Sequence, residues 1–259
     1  MCTIAILINV VANAPIVVAA NRDELYARPT RGPERWRTVN ALAVAGGVDV
    51  LSGGTWLAVR SDGVFSAVTN QLALAPHATP GLRSRGHAVL ELAADDDQEK
   101  YIETVDPARY ASMNLLWRSW RGVSIAYSRR EHGTLNVEKL GRGVHVLCND
   151  RLDAPGFPRA ARLRAAIERA LAIDRRWVAM IEPLRVALAD HTRADLAATP
   201  ASHLPPELAR ELTANCIHTT TYGTRSSTLL ALGDRVLGYL HADGPPCTTP
   251  FVDRMDLLR

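Results

Sequence analysis

Apolar positions fall in short, nearly unbroken runs at the start of the chain. Residues 3–10 and 15–20 are aliphatic and β-branched, and Val11-Ala12-Asn13-Ala14 separates them. Runs this short, bounded by a turn tetrapeptide, predict two buried strands in a hairpin. A turn centred on Ala12-Asn13 places Asp23 opposite Cys2, and one centred on Asn13-Ala14 places Leu25 there. Either register returns Asn21-Arg22-Asp23-Glu24 to the chain start. Similar reasoning predicts strands near 40–46, 55–60 and 64–70, then helices near 84–95 and 97–105. Residues 55–60 and 64–70 flank Ser61-Asp62-Gly63, and a two-residue Asp-Gly turn there sets Asn70 opposite Thr55. Further strands are expected near 114–118, 123–128, 134–140 and 144–149, and helices near 158–173, 175–190 and 205–214. Strands near 216–222, 226–232 and 235–241 close the chain. Strand groups alternating with helix groups predict an α+β protein of layered antiparallel sheet and helix.

Composition narrows the class. With 259 residues, 47% of them hydrophobic, the chain suits one large core, and no linker or repeat divides it, so 1–259 is read as a single domain. The net charge of +3 comes from dispersed arginines. Arg159, Arg162, Arg164 and Arg169 share the predicted helix 158–173, at spacings that spread around the wheel like a solvated surface, so no nucleic-acid partner is expected. The apolar stretch 3–20 lacks a basic lead and is broken by Asn9, Asn13 and Pro15, which argues against a signal peptide or membrane span. Cysteines at 2, 148, 216 and 247 show no paired spacing, and reduced thiols in the cytoplasm are expected. Asp95-Asp96-Asp97 reads as a solvated helix end. Cys216-Ile217-His218 and His241 offer thiolate and imidazole ligands, but without paired spacing they read as ordinary strand residues, and no metal or cofactor is expected.

The candidate chemistry sits at the second residue. Loss of Met1 leaves Cys2 with a free α-amino group of reference pKa about 7.7–8.0, beside a thiol of about 8.5. That amine accepts the thiol proton as the sulfur attacks a carbonyl carbon, and returns it to a leaving amine. Asn70 and Asn149 end predicted strands; an asparagine amide is a suitable donor to the resulting oxyanion, and a plain strand-end role, since asparagine favours turns, is the structural alternative for both. Trp56, Trp117 and Trp120 are candidate pocket aromatics, with core packing the default for tryptophan in strands.

Several blocks occur in one order: Ala20-Asn21-Arg22-Asp23-Glu24-Leu25-Tyr26-Ala27-Arg28-Pro29, Gly53-Gly54-Thr55-Trp56-Leu57, Thr69-Asn70, Arg83-Ser84-Arg85-Gly86, Leu147-Cys148-Asn149 and Tyr222-Gly223-Thr224-Arg225-Ser226-Ser227-Thr228. Together they resemble the NRDE family, whose eukaryotic members are called transport and Golgi organisation protein 2, over nearly the whole chain. That family is in turn similar to the cysteine N-terminal-nucleophile hydrolases of the choloylglycine hydrolase and penicillin V acylase type. The resemblance implies a four-layer αββα sandwich. It implies Cys2 as nucleophile, Asp23 orienting the new amine, Asn70 and Asn149 at the oxyanion, and Arg225 as a late arginine. Asn21, Arg22 and Trp56 are the candidate substrate-binding residues. The ligand implied is a small amide; a non-enzymatic relative would hold a lipid, acyl-CoA or haem-like ligand in the same cleft. Two departures stand out: Ala20 occupies a position where the acylases carry arginine, and Phe157 a region where the family has a tryptophan.

Overall fold

A computed structural model describes residues 2–71, 81–199 and 204–259. In chain order its elements are β1 (Cys2–Val11), β2 (Ala14–Leu25), β3 (Thr30–Val39), β4 (Leu42–Asp49), β5 (Leu57–Arg60), β6 (Phe65–Asn70), α1 (Arg85–Ala94) and α2 (Gln98–Glu103). Next come β7 (Met113–Ser119), β8 (Gly122–Arg129), β9 (Thr134–Lys139), β10 (Gly143–Leu147), α3 (Pro158–Ile173), α4 (Trp177–Leu188), α5 (Pro206–Glu211), β11 (Tyr222–Leu232), β12 (Val236–Ala242) and β13 (Val252–Asp253). The chain forms two compact units. The first comprises Met1–Ala27, Arg142–Gly233 and Leu237–Asp253; the second Arg28–Gly141, Asp234–Val236 and Arg254–Arg259.

The first unit is built on a sheet of order β10-β1-β2-β11-β12-β13. Its central strands are closed to solvent on both faces, which is why residues 3–10 and 15–20 read as continuous apolar runs and not as an alternation. Ala5, Leu7, Val17, Ala19 and Leu229 meet Leu163 and Ile167 of α3 and Met180 and Leu184 of α4. Pro158 opens α3, where its missing N–H costs no helical bond. The buried stripe of α3 runs Arg159, Leu163, Ile167, Ala170 and Leu171, so a helical repeat ending in leucines begins with an arginine.

The opening hairpin turns at Ala12-Asn13, with Val11 paired to Ala14. A bulge between Ile8 and Val11 then shifts the ladder by one residue, with Asn9 in the left-handed region at φ 54°. Arg22 therefore lies opposite Cys2, in place of the Asp23 or Leu25 that an unbroken ladder gives. A second bulge, between Thr224 and Ser226, lies where β11 passes β2 and leaves Arg225 as the extra residue.

The second unit is a seven-stranded meander, β3 to β9 in order, with α1 supplying Ala88, Val89 and Leu92 to a core that includes Val44, Ala58, Leu115 and Trp117. Strand β3 was not expected, because its Arg, Glu and Pro residues suit a loop; at a sheet edge those charges face solvent and discourage further pairing. The β5–β6 loop has three residues, 61–63, and Gly63 takes the left-handed conformation at φ 84°. Leu57 pairs with Ala67, so the continued register sets Thr69 and not Asn70 level with Thr55. Two sequence blocks meet in this unit: a Cβ on Gly54 would stand 2.6 Å from the Gly86 carbonyl carbon, so both glycines are required by close backbone approach. Asp97 caps α2 through the Lys100 N–H, giving the acidic run a helix-end role.

At the end of the chain, residues 216–221 are not a strand; His218 makes one isolated bridge to Gly223, and β11 runs unbroken from Tyr222. Among the described residues no helix is long and apolar enough to cross a membrane.

Candidate active site

Alternation along β1 and β2 sorts the polar residues at the head of the hairpin onto two faces of the first-unit sheet. Cys2, half-buried, shares one face with its cross-strand partner Arg22, and Ser226 continues that row on β11. Arg22 is 7% exposed, and among the described residues its Nη1 is buried without a hydrogen-bond partner. Burial pushes the Cys2 thiol up, as does the Asp23 charge, while Arg22 and the Asp23 main-chain N–H pull it down. The net rise leaves a neutral thiol near pH 7, which needs a base before it can attack.

Asp23 projects to the helix face, where it is 1% exposed. The Thr224 hydroxyl donates to its Oδ1 at 2.7 Å, and Arg159 Nη1 lies 3.4 Å from Oδ2. Tyr222 donates its hydroxyl proton to the Asp23 main-chain oxygen at 2.9 Å. Burial raises the Asp23 carboxyl above the usual carboxylate range, and Arg159 and Thr224 check the rise. Arg159 Nη2 donates to Asn149 Oδ1 at 3.0 Å, so one guanidinium joins the strand-two aspartate to the asparagine that follows β10.

The structure thus gathers Cys2, Arg22, Asp23 and Asn149 at one end of the first-unit sheet. Asn21 is fully engaged there: its amide donates to the main-chain oxygens of Leu188 and Asn215 at 2.9 and 2.8 Å, and its oxygen accepts from Ser227 at 2.5 Å. Arg225, thrown outward by the bulge, donates to the carbonyl oxygens of Leu25 and Tyr26 at 3.2 and 2.7 Å and lies over the Tyr26 ring. Asn70, at the end of β6, and Trp56, packed on the α1 core, belong to the second unit.

Arg159, Thr224 and Tyr222 were missed as site residues by sequence reasoning. The reading of Arg159 as one of four solvated arginines is corrected: it is 2% exposed. The signal was present, because Arg159 stands four and eight residues before Leu163 and Ile167 and so shares the apolar stripe.

The family model described as Transport and Golgi organisation 2 matches residues 1–236. The Transport and Golgi organization protein 2 homolog of Bos taurus is 30% identical over 233 residues, covering 83% of this chain and 81% of the bovine protein. The Homo sapiens homolog is 28% identical over 232 residues, with coverages of 83% and 81%. Among solved structures, penicillin V acylase from Agrobacterium tumefaciens is similar with a TM-score of 0.58 at 12% identity, covering 100% of this chain and 88% of its own. A Caenorhabditis elegans ortholog of N-acylethanolamine-hydrolyzing acid amidase gives a TM-score of 0.55 at 11% identity, with coverages of 89% and 92%. The fold is therefore α+β of the N-terminal-nucleophile hydrolase type.

Proposed function

The chain belongs to the Transport and Golgi organisation 2 family, and from that premise we propose that it is a cysteine N-terminal-nucleophile amidohydrolase or acyltransferase acting on a small non-peptide amide. The observation that supports this reading most is the position of Cys2: second in the chain, first in β1, and beside a buried arginine and a buried aspartate on a fold of this type.

Removal of Met1 converts the Cys2 nitrogen from a peptide amide into an amine. That amine takes the thiol proton as Sγ bonds to the substrate carbonyl carbon. Collapse of the tetrahedral intermediate breaks the carbon–nitrogen bond, and the leaving amine departs with the proton. Water then cleaves the thioester to a carboxylate and restores the thiol; an amine or alcohol in its place gives acyl transfer. Asp23, held by Thr224 and Arg159, orients the new amine. Asn149, whose oxygen accepts from Arg159, is the asparagine assigned to the oxyanion. Arg22, whose Nη1 has no hydrogen-bond partner among the described residues and which pairs across from the nucleophile, suits a substrate bearing an anionic group. The free thiols of all four cysteines fit a reducing compartment such as the cytoplasm.

The test is turnover of a panel of N-acyl amides by protein whose N-terminal peptide mass shows Met1 removed. Release of amine by the native protein and none by Cys2→Ala supports the reading. Ligand binding by both proteins with turnover by neither would leave a non-catalytic carrier of an acyl or haem-like ligand.

A further inference from the structure

Outside the hairpin site, the fold collects four metal-ligating side chains from three separate segments of the first unit. His191 follows α4, Cys216 and His218 precede β11, and Cys247 follows β12; one ligand atom from each lies within 4.8 Å of all the others. Cys216 and His218 are two apart in a segment outside any strand, where His218 makes one isolated bridge to Gly223. Setting Cys216 and His218 aside as ordinary strand residues left out His191 and Cys247, which sequence distance hides; His241, the other residue considered with them, instead pairs with Thr228 at 3.0 Å.

Three of the four groups stand at the spacing of a coordination polyhedron, and His191 completes the set within 4.8 Å. Zinc bonds of about 2.3 Å to sulfur and about 2.0–2.1 Å to nitrogen, arranged as a tetrahedron, give ligand–ligand edges of about 3.4–3.8 Å. Here Cys216 Sγ is 3.7 Å from Cys247 Sγ and 3.7 Å from His218 Nε2, and His218 Nε2 is 3.3 Å from Cys247 Sγ. The His191 ring lies 5.1 Å from the His218 ring between centroids. Its Nδ1 lies 3.0 Å from the Cys216 main-chain oxygen. A carbonyl only accepts, so Nδ1 carries the proton and Nε2 keeps its lone pair, the outer-sphere arrangement that orients a ligating histidine. His191 and Cys247 also line an open cleft of about 870 Å³, which gives an ion a way in.

We propose that His191, Cys216, His218 and Cys247 bind one zinc ion in a tetrahedral, closed, structural site. Two thiols and two imidazoles select zinc among the common divalent ions. On binding, each thiol releases its proton to solvent, and two thiolates offset the charge of the ion, so the loaded site is neutral. The ion clamps together the segments after α4, before β11 and after β12. Its place also matters for Asp23. Between the two β11-side ligands, Ile217 donates its N–H to Thr224 Oγ1 and accepts from the Thr224 N–H, both at 2.9 Å, and Thr224 is the donor to Asp23 Oδ1. The clamp thus makes Thr224 a positioned residue.

The test uses full-length protein in a Cys2→Ala background, so that the N-terminal thiol neither binds metal nor reacts. Reduced protein is stripped, titrated with zinc alone or cobalt(II) alone, and measured by elemental analysis and visible spectroscopy. The proposal predicts one equivalent of zinc per chain, tetrahedral cobalt d–d bands with thiolate charge transfer, and a higher melting temperature on loading. Cys247→Ser and His191→Ala should each weaken binding by more than the roughly 10–100-fold typical of losing an outer-sphere partner. The cobalt spectrum of the protein with all four ligands intact decides the matter even if a ligand variant fails to fold. Absence of stoichiometric uptake, an octahedral cobalt spectrum, or a Cys216–Cys247 disulfide in alkylation-quenched protein would overturn it. None of these readouts depends on amide hydrolysis.

Discussion

Asp23 and Arg159 form an ion pair from which water is excluded, and the two partners are not equally replaceable. Removing Arg159 strands a buried carboxylate, whereas replacing both charges removes the desolvation problem. Arg159→Leu should destabilise the protein by about 3–5 kcal/mol in urea unfolding, and Asp23→Asn added to it should restore a substantial part of that loss. The pH dependence has a fixed sign. Because the folded-state pKa of Asp23 is raised, the native protein holds a proton that the unfolded chain has lost, between about pH 3.9 and that raised value. Stability from this group therefore falls as pH rises through the window, and stability–pH profiles of Asp23→Asn should lack that component. At this scale the return of Asp23 to the neighbourhood of Cys2 was legible from motif and position. Arg159 was hidden by composition, since a charged residue in an arginine-rich helix is ordinarily solvated.

Among the elements, the opening hairpin depends on one exposed residue. Asn9 holds a left-handed conformation that asparagine tolerates and a β-branched residue does not. Asn9→Val should cost about 1–2 kcal/mol by denaturant titration, while Asn9→Gly should be close to neutral. The bulge it makes decides which residue faces Cys2, because a one-residue slip exchanges the two faces of a strand. The sequence pattern found the turn at Ala12-Asn13 but not this slip, since an asparagine within an apolar run reads equally as a simple polar interruption. The same limit applied to β3, whose charges are permitted by its edge position and by nothing local. The Gly54–Gly86 junction gives a second element-level prediction: a Cβ at 2.6 Å from backbone cannot be accommodated without strand or helix shift. Gly54→Ala should lose about 1–3 kcal/mol, read from the shift in urea midpoint.

For the whole molecule, the α+β class and the order of strand and helix groups follow from hydrophobic periodicity, while the particular fold came from resemblance, which local pattern does not encode. The division into two units had no compositional mark, because each unit is assembled from three non-contiguous segments. The Cys2/Asp23/Asn149 cluster draws on β1, β2 and the end of β10, so the proposed chemistry rests on sheet pairing across much of the chain. That chemistry requires one covalent fact, a free amine and a free thiol on the same residue. The most direct measurement is the reaction of the native-source protein with 2-cyanobenzothiazole, which condenses with a 1,2-aminothiol, followed by N-terminal peptide mass. One adduct per chain on a peptide beginning at Cys2, absent from Cys2→Ala, is the result predicted. A peptide that retains Met1 and carries no adduct would contradict the assignment of Cys2 as an amine-activated nucleophile.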